Sequence, residues 1–338
     1  MKKIFFVLIG IFALFVLGVG VLFTMMLFFG KADQEPTTSF DIHFRKGVSY
    51  SPSSPLAVTD FWEKAKEVGE AVRGGDEWQK LGDAGTSSKL VAEAALDHNL
   101  VPVIEVNFFN QDTGDLLRPL NTVNRADYKN RAVDFAKEFK PPYFGMGVEI
   151  DTFYRKNPGD FDDFVSLFNE TYDAIKAVSP ETRIFTTFQL ERTKGLRGGI
   201  FGGKNDASKN NWDLLAKFAK ADLIAFTTYP GLIYKDPVNV PADYYTSIRK
   251  YTDKPIAFTE IGWSSSGGVK GWESSEAEQQ RFVAEFFGWT WGIKEDLELA
   301  IWIHLYPQTT AEPFGAMALY RADGTPKITW GTWVRTSH

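Results

Sequence analysis

Residues 143–150 (YFGMGVEI), 222–229 (DLIAFTTY) and 255–261 (PIAFTEI) are apolar runs of strand length, and the first and third carry a glutamate near their ends. Strands apolar on both faces, each followed by a helical pattern, belong to parallel sheets covered by helices. Working outward, five more such runs stand at 47–50 (GVSY), 70–73 (EAVR), 101–107 (VPVIEVN), 183–188 (RIFTTF) and 297–304 (LELAIWIH). Eight βα-like units predict an α/β fold of the closed (β/α)8 TIM-barrel type rather than an open doubly wound sheet. An open sheet would carry a glycine-rich phosphate loop after its first strand, and none is present there. The glycine-rich stretch 195–203 (GLRGGIFGG) follows the fifth run instead and reads as an irregular loop.

The intervening helices have their own punctuation. Asp160 is expected to cap a helix whose apolar stripe is Phe161, Phe164, Leu167, Phe168, Ile175 and Val178. Ser275 and Glu278 form a capping box ahead of Phe282, Val283, Phe286 and Phe287. Ser88 precedes a helix carrying Leu90, Val91, Ala94 and Ala95, with Asn99 as its stop.

Composition narrows the chemistry. At 338 residues, 44% hydrophobic and 24% charged, the chain has ample core and is not mainly disordered. Its net charge of −6, with no run of basic residues, argues against nucleic acid as a partner. Without cysteine there are no disulfides, thiolate metal sites or thiol nucleophiles. The histidines His43, His98, His304 and His338 show no HExxH or closely spaced pair, so no metal site and no cofactor is expected.

The N-terminal segment is a different physical object. After Lys2 and Lys3, residues 4–29 contain no charge, which is long enough for a helix to span a bilayer. The lysines would stay on the cytoplasmic side and leave the body of the chain outside. The expected organisation is a signal anchor or transmembrane helix at 1–30, a polar linker at 31–44 and the barrel at 45–338. That places the protein in the cell membrane as a single-pass chain, or outside the cell as a secreted form if the segment is cleaved near 30–32.

Chemistry in a (β/α)8 barrel gathers at the C-terminal ends of the strands. Those ends supply Arg73, Asp76 and Glu77 from the second run, Asn107 from the third, Glu149 from the fourth and Gln189 from the fifth. Tyr229 follows from the sixth, Glu260 and Trp263 from the seventh, and Trp302 and His304 from the eighth. Acceptors, donors and flat rings around one rim suit a sugar, whose hydroxyls and apolar faces they match. Glu149 and Glu260 stand out because a buried carboxylate needs either a partner or a task. Two such groups at one rim provide what glycosidic cleavage requires, an acid for the leaving oxygen and a carboxylate that attacks or activates water.

The segments PPYFGMGVEID, DLIAFTTYPGL, KPIAFTEIGWSSS and FGAMALYRADGTPKITW together resemble the clan of retaining β-glycosidases built on (β/α)8 barrels, over residues 47–333. Endo-β-1,4-galactanases, endo-β-mannanases and β-1,3-glucanases are among its members. The resemblance implies an acid/base at Glu149 and a nucleophile at Glu260. It further implies a tyrosine bonded to the nucleophile at Tyr229, an arginine at Arg73 and a tryptophan flooring the sugar site at Trp302. The clan's usual asparagine before the acid/base is here Val148, which cannot hydrogen-bond through its side chain. Asp76, Glu77 and Asn107 are candidates for replacement contacts. The expectation is therefore a membrane-tethered retaining glycoside hydrolase acting on a β-linked oligo- or polysaccharide. The alternative that Val148 favours is a non-catalytic cell-surface glycan-binding or envelope protein on the same barrel.

Overall fold

The structure, a computed structural model, describes residues 44–267 and 269–336. The apolar segment 4–29, the linker as far as residue 43, His43 and His338 lie outside the described residues. Among the described residues no helix is long and apolar enough to cross a membrane.

The strands are β1 (Arg45–Ser49), β2 (Ala71–Glu77), β3 (Val101–Asn107), β4 (Tyr143–Met146), β5 (Arg183–Phe185), β6 (Thr187–Gln189), β7 (Ile224–Thr228), β8 (Ile256–Ile261) and β9 (Leu297–Trp302). They form one sheet in the order β5-β4-β3-β2-β1-β9-β8-β7-β6, and every pairing is parallel. The two ends of that order, β5 and β6, are halves of one run interrupted only at Thr186. The Thr187 N–H reaches Gly147 O at 3.0 Å and the Ala225 N–H reaches Thr186 O at 3.4 Å, so the break is stitched on both sides. The nine segments therefore make eight staves, and the sheet closes on itself as a TIM barrel.

Alternation along each stave separates two cores. Ala71, Val103, Tyr143, Phe185, Ala257 and Ile301 pack together inside the barrel. Their neighbours Val72, Ile104, Phe144, Ile184, Phe258 and Trp302 face outward, in one cluster with the helix residues Phe61, Phe164 and Phe282. The last helix, Ile328–Arg335, is fastened to the wall through Lys46 of β1, whose buried Nζ donates to Trp333 O at 2.6 Å and also to Thr336 O.

Several boundaries differ from the sequence expectation, each for a local reason. β2 runs four residues beyond Arg73, because Gly74 to Glu77 continue in register with Ile104 to Asn107. β4 stops at Met146, before the expected end at Ile150, since Gly147 takes φ 85° and leaves the strand. The helix Pro158–Val178 begins two residues before Asp160, whose proposed capping role is thereby corrected. Asn157 is its N-cap and Pro158, with φ already fixed near the helical value, occupies the first turn. Its expected stripe is buried from Phe161 to Ile175, while Val178 is only half-buried. The Ser275 box is present, with Ser275 Oγ accepting from the Glu278 N–H at 3.2 Å, and Asn99 ends its helical segment at φ 58°. The layers after β6 and β7 are mostly short 3₁₀ turns rather than α-helices. Pro230, Pro237 and Pro241 after β7 remove backbone donors, and the glycines of 195–203 favour irregular backbone after β6.

Gly147 is required in two ways. Its positive φ is a conformation that L side chains rarely adopt, and a Cβ there would stand 2.6 Å from Ile150 Cγ2. Gly147→Ala is therefore expected to lower stability by about 1–3 kcal/mol. Chemical denaturation checks this, and an unchanged midpoint would contradict it.

Candidate active site

Two departures from regular strand geometry bring Glu149 and Glu260 to one cavity. After Gly147, Glu149 itself adopts φ 58° and ψ 46° and caps the helix Ile150–Lys156. A left-handed glutamate is uncommon and costs energy, which the surrounding bonds must offset. The second departure is a bulge in β8. Thr227 of β7 pairs with Glu260, whereas Phe226 pairs with Phe258, so Thr259 is the extra residue. A regular strand would put Thr259 and Glu260 on opposite faces. With the bulge, Thr259 donates to Glu105 Oε1 at 3.2 Å inside the barrel, and the adjacent Glu260 also faces inward.

The two carboxylates have different surroundings. Glu260 Oε1 pairs with Arg73 Nη2 at 2.8 Å, and Glu260 Oε2 accepts from the Tyr229 hydroxyl. Glu149 Oε1 accepts from Thr227 Oγ1 at 2.7 Å and from Gln189 Nε2 at 3.3 Å, with no guanidinium or ammonium in an ion pair among the described residues. Burial, and then the charges of Asp151 and Glu260, push the Glu149 carboxyl up to about 8. The phenol of Tyr229 is raised well above its ordinary value by burial and the Glu260 charge, so it remains a donor at neutral pH.

Arg73 has a second partner that the sequence reading missed. Its Nε donates to Glu105, whose side chain is fully buried in β3. Glu105 also accepts from the hydroxyls of Thr187 and Thr259. The result is a line of charge, Glu105 to Arg73 to Glu260, crossing the mouth of the barrel from β3 through β2 to β8. Strand alternation supplied a usable signal, since Glu105 lies two residues beyond the inward-facing Val103.

The cavity between these groups measures about 1160 Å³, enough for several linked sugar rings. Arg73, Asp76, Glu77, Asn107, Gln189, Tyr229 and His304 all line it along with the two glutamates. Some are engaged elsewhere as well. Asp76 accepts from the Ser88 N–H at 2.6 Å at the start of the helix Ser87–Ala94, and Glu77 pairs with Lys80 at 3.2 Å. Asn107 Oδ1 accepts from the Val148 N–H at 3.1 Å. The His304 ring nitrogens have no hydrogen-bond partner among the described residues, and burial followed by the Arg73 charge lowers its pKa to about 4, leaving it neutral.

Trp302 and Trp263 are corrections. Trp302 is fully buried, donates Nε1 to Met317 O at 2.7 Å and packs against Phe282 and Trp333. In β9 Leu299 and Ile301 face the barrel interior, so Trp302 falls on the helix side and cannot floor the cavity. Trp263 stacks on Phe282 at 5.2 Å and donates Nε1 to Ser274 Oγ, likewise away from the cavity. The aromatic rings that do line it are Tyr50, Phe109, Phe201, Tyr229 and Phe314.

The charge line is expected to be structural as well as positional. Breaking a buried pair leaves the other charge uncompensated. Glu105→Ala should lower unfolding free energy by about 3–5 kcal/mol. Urea denaturation checks this, and a loss within experimental error would show that Arg73 is held by Glu260 alone.

No protein-family model and no curated protein sequence matches this chain. Solved structures do. A family 39 glycoside hydrolase from Bacteroides cellulosilyticus WH2 aligns at TM-score 0.60 with 17% identity, over 86% of this chain and 63% of its own. The exo-β-1,4-mannosidase Op5Man5 from Opitutaceae bacterium strain TAV5 aligns at 0.58 with 13% identity, over 89% of this chain and 61% of its own. A psychrophilic family 10 endo-β-1,4-xylanase aligns at 0.59 with 10% identity, over 86% of this chain and 96% of its own. This chain thus spans under two thirds of the first two neighbours and nearly all of the third. At these identities the likeness concerns fold: the chain has a parallel α/β barrel like those of these glycoside hydrolases, with no single family singled out.

Proposed function

We propose that this protein is a retaining glycoside hydrolase that cleaves a β-linked glycan by double displacement. The observation that carries the reading is the unequal pair of carboxyl groups in one cavity. Among the described residues Glu149 is in no ion pair, and its carboxyl is pushed up to about 8, while Glu260 faces Arg73 and Tyr229. Two carboxyl groups with divergent environments are the working parts of an acid and a nucleophile.

Glu149 donates its proton to the glycosidic oxygen as the bond to the anomeric carbon breaks. Glu260 attacks that carbon from the opposite face and forms the glycosyl-enzyme ester. Glu149, now a carboxylate, takes a proton from water, whose oxygen displaces Glu260 and releases the sugar. Tyr229 and Arg73 hold the Glu260 carboxylate in place for attack. Thr227 and Gln189 orient Glu149. Asn107, Asp76, Glu77, Gln189 and His304 offer the polar contacts for hydroxyls. The geometry of the barrel and the glycoside hydrolase neighbours support this reading.

We also propose that residues 4–29 hold the enzyme in the membrane with the barrel outside. The uncharged length and the preceding Lys2 and Lys3 support it. Membrane fractionation should retain the full chain, with the barrel open to external protease. A soluble product starting near residue 33 would instead show cleavage and a secreted enzyme.

The chemical test uses β-linked oligosaccharides and aryl β-glycosides. Glu260→Gln should abolish turnover and spare binding, and Glu149→Gln should slow oligosaccharide cleavage about 10²–10⁴-fold. Because the acid must be protonated, wild-type kcat/KM should fall as pH rises through about 8, and that limb should vanish in Glu149→Gln. Hydrolysis unchanged in Glu260→Gln would remove the nucleophile. Glycan binding by wild type and Glu260→Gln alike, without hydrolysis by either, would support the binding-protein alternative that Val148 favours.

A further inference from the structure

The cavity carries positive charge that the two-glutamate chemistry does not use. Three arginines line it, Arg73, Arg155 and Arg192. Arg73 is neutralised by Glu105 and Glu260. Among the described residues, no carboxylate lies within ion-pairing distance of Arg155, Arg192 or the neighbouring Arg197. In a chain of net charge −6 with many surface ion pairs, three neighbouring arginines outside any ion pair stand out, with the nearby Asp151 attracting them only at longer range.

Arg192 is held rather than loose. Its Nε donates to Gln189 Oε1, and its guanidinium lies over the Phe201 ring at 4.9 Å. Both of its terminal nitrogens have no protein partner among the described residues. Arg155, exposed at the end of the helix Ile150–Lys156, makes no hydrogen bond to the described protein. Arg197 braces the Arg192 backbone, donating Nη1 to Arg192 O at 2.8 Å and to Leu196 O at 3.0 Å. These charges are felt mutually. Burial and then the Arg192 charge lower the pKa of both Arg155 and Arg197.

The acidic residues described around the cluster leave the guanidinium of Arg155 and the terminal N–H groups of Arg192 unbonded. Asp76 and Glu77 are engaged with the Ser88 N–H and with Lys80, and Asp151, whose charge is felt by all three arginines, is buried outside the cavity lining, accepts from the Gln189 N–H at 2.8 Å and forms no ion pair with them. A neutral glycan gives no reason for adjacent guanidiniums to be kept unpaired at the wall. An oxyanion does, because two free N–H groups on a fixed planar guanidinium match its oxygens in a bidentate grip.

We propose that the glycan taken by this site is acidic, one of its sugars bearing an oxyanion that Arg155 and Arg192 bind. The inference rests on the glycosidase reading for the cavity's being a glycan site. A uronate carboxylate and a sulfate ester share the required chemistry. Gln189 joins the anion site to the acid, since it accepts from Arg192 and donates to Glu149.

The test compares β-linked oligosaccharides of one backbone in neutral, uronate, uronate methyl-ester and sulfated forms. Binding to the full chain and hydrolysis are both measured. One charged form should bind about 10–100-fold more tightly than the neutral form, the size expected for hydrogen bonds to a charged group. Which form it is identifies the anion. If it is the uronate, methyl esterification should erase the advantage. Arg155→Gln and Arg192→Gln should each reduce the advantage, and added salt should weaken it. Arg155 is exposed, so its substitution leaves folding intact and the test stands even if Arg192→Gln is unstable. Equal binding of neutral and charged forms, with hydrolysis of the neutral one, would overturn the acidic-glycan inference and leave the glycosidase reading standing. Arginine-dependent binding of a charged form without hydrolysis would do the reverse. No binding of any form would overturn the inference.

Discussion

The mouth of the barrel is organised around one buried cation. Arg73 joins Glu105, whose side chain is wholly out of solvent, to Glu260, whose side chain is 17% exposed. A lone carboxylate at the depth of Glu105 would cost several kcal/mol, and the guanidinium offsets that only with its geometry fixed. Thr187 and Thr259 fix the far end by donating to Glu105. The bulge that admits Thr259 to the interior is the same irregularity that turns Glu260 inward. The bulge and the orientation of Glu260 are therefore tied to one set of charges. Gly145 belongs to this set, because a Cβ there would stand 2.8 Å from Glu105 Cγ.

The opposite side of the cavity follows a different logic. Glu149 has hydroxyl and amide donors but, among the described residues, no cation in an ion pair, and its backbone is left-handed. Those donors offset only part of the cost, because burial, an uncommon φ and the nearby Asp151 charge all work against the arrangement. Such a residue persists where the rest of the fold over-determines it. The left-handed Gly147 and the Asn107 amide on the Val148 N–H hold the turn from both sides of Val148.

Much of this was legible from residue patterns, because eight apolar runs and the glutamates near their ends are features of composition and period. The misses come from parity. A period-2 reading of 255–261 cannot see the single extra residue at Thr259, since a bulge leaves no mark in hydrophobicity. Trp302 is the converse case: its stave is regular, and alternation from Leu299 and Ile301 already assigns it to the helix side. Glu105 was passed over because VPVIEVN reads as a continuous apolar run, and the β2–β3 register is what sets it beside Gly75 and next to Arg73. Arg155 and Arg192 were invisible for another reason, lying 37 positions apart in a sequence with no basic run.

Val148 shows why a single missing motif residue is weak evidence about a site. Its side chain is 3% exposed and carries no donor, so the amide that the clan places there is absent from that position. The Val148 N–H, however, is bound by Asn107 from the neighbouring stave, and Asn107 lines the same cavity. An amide thus stands beside the acid even though the chain before Glu149 does not supply it. In a closed parallel barrel the ends of adjacent staves are lateral neighbours, so a polar group lost from one strand end can be provided by the next. What the cavity requires is a group at a place, and sequence position is only one way of putting it there.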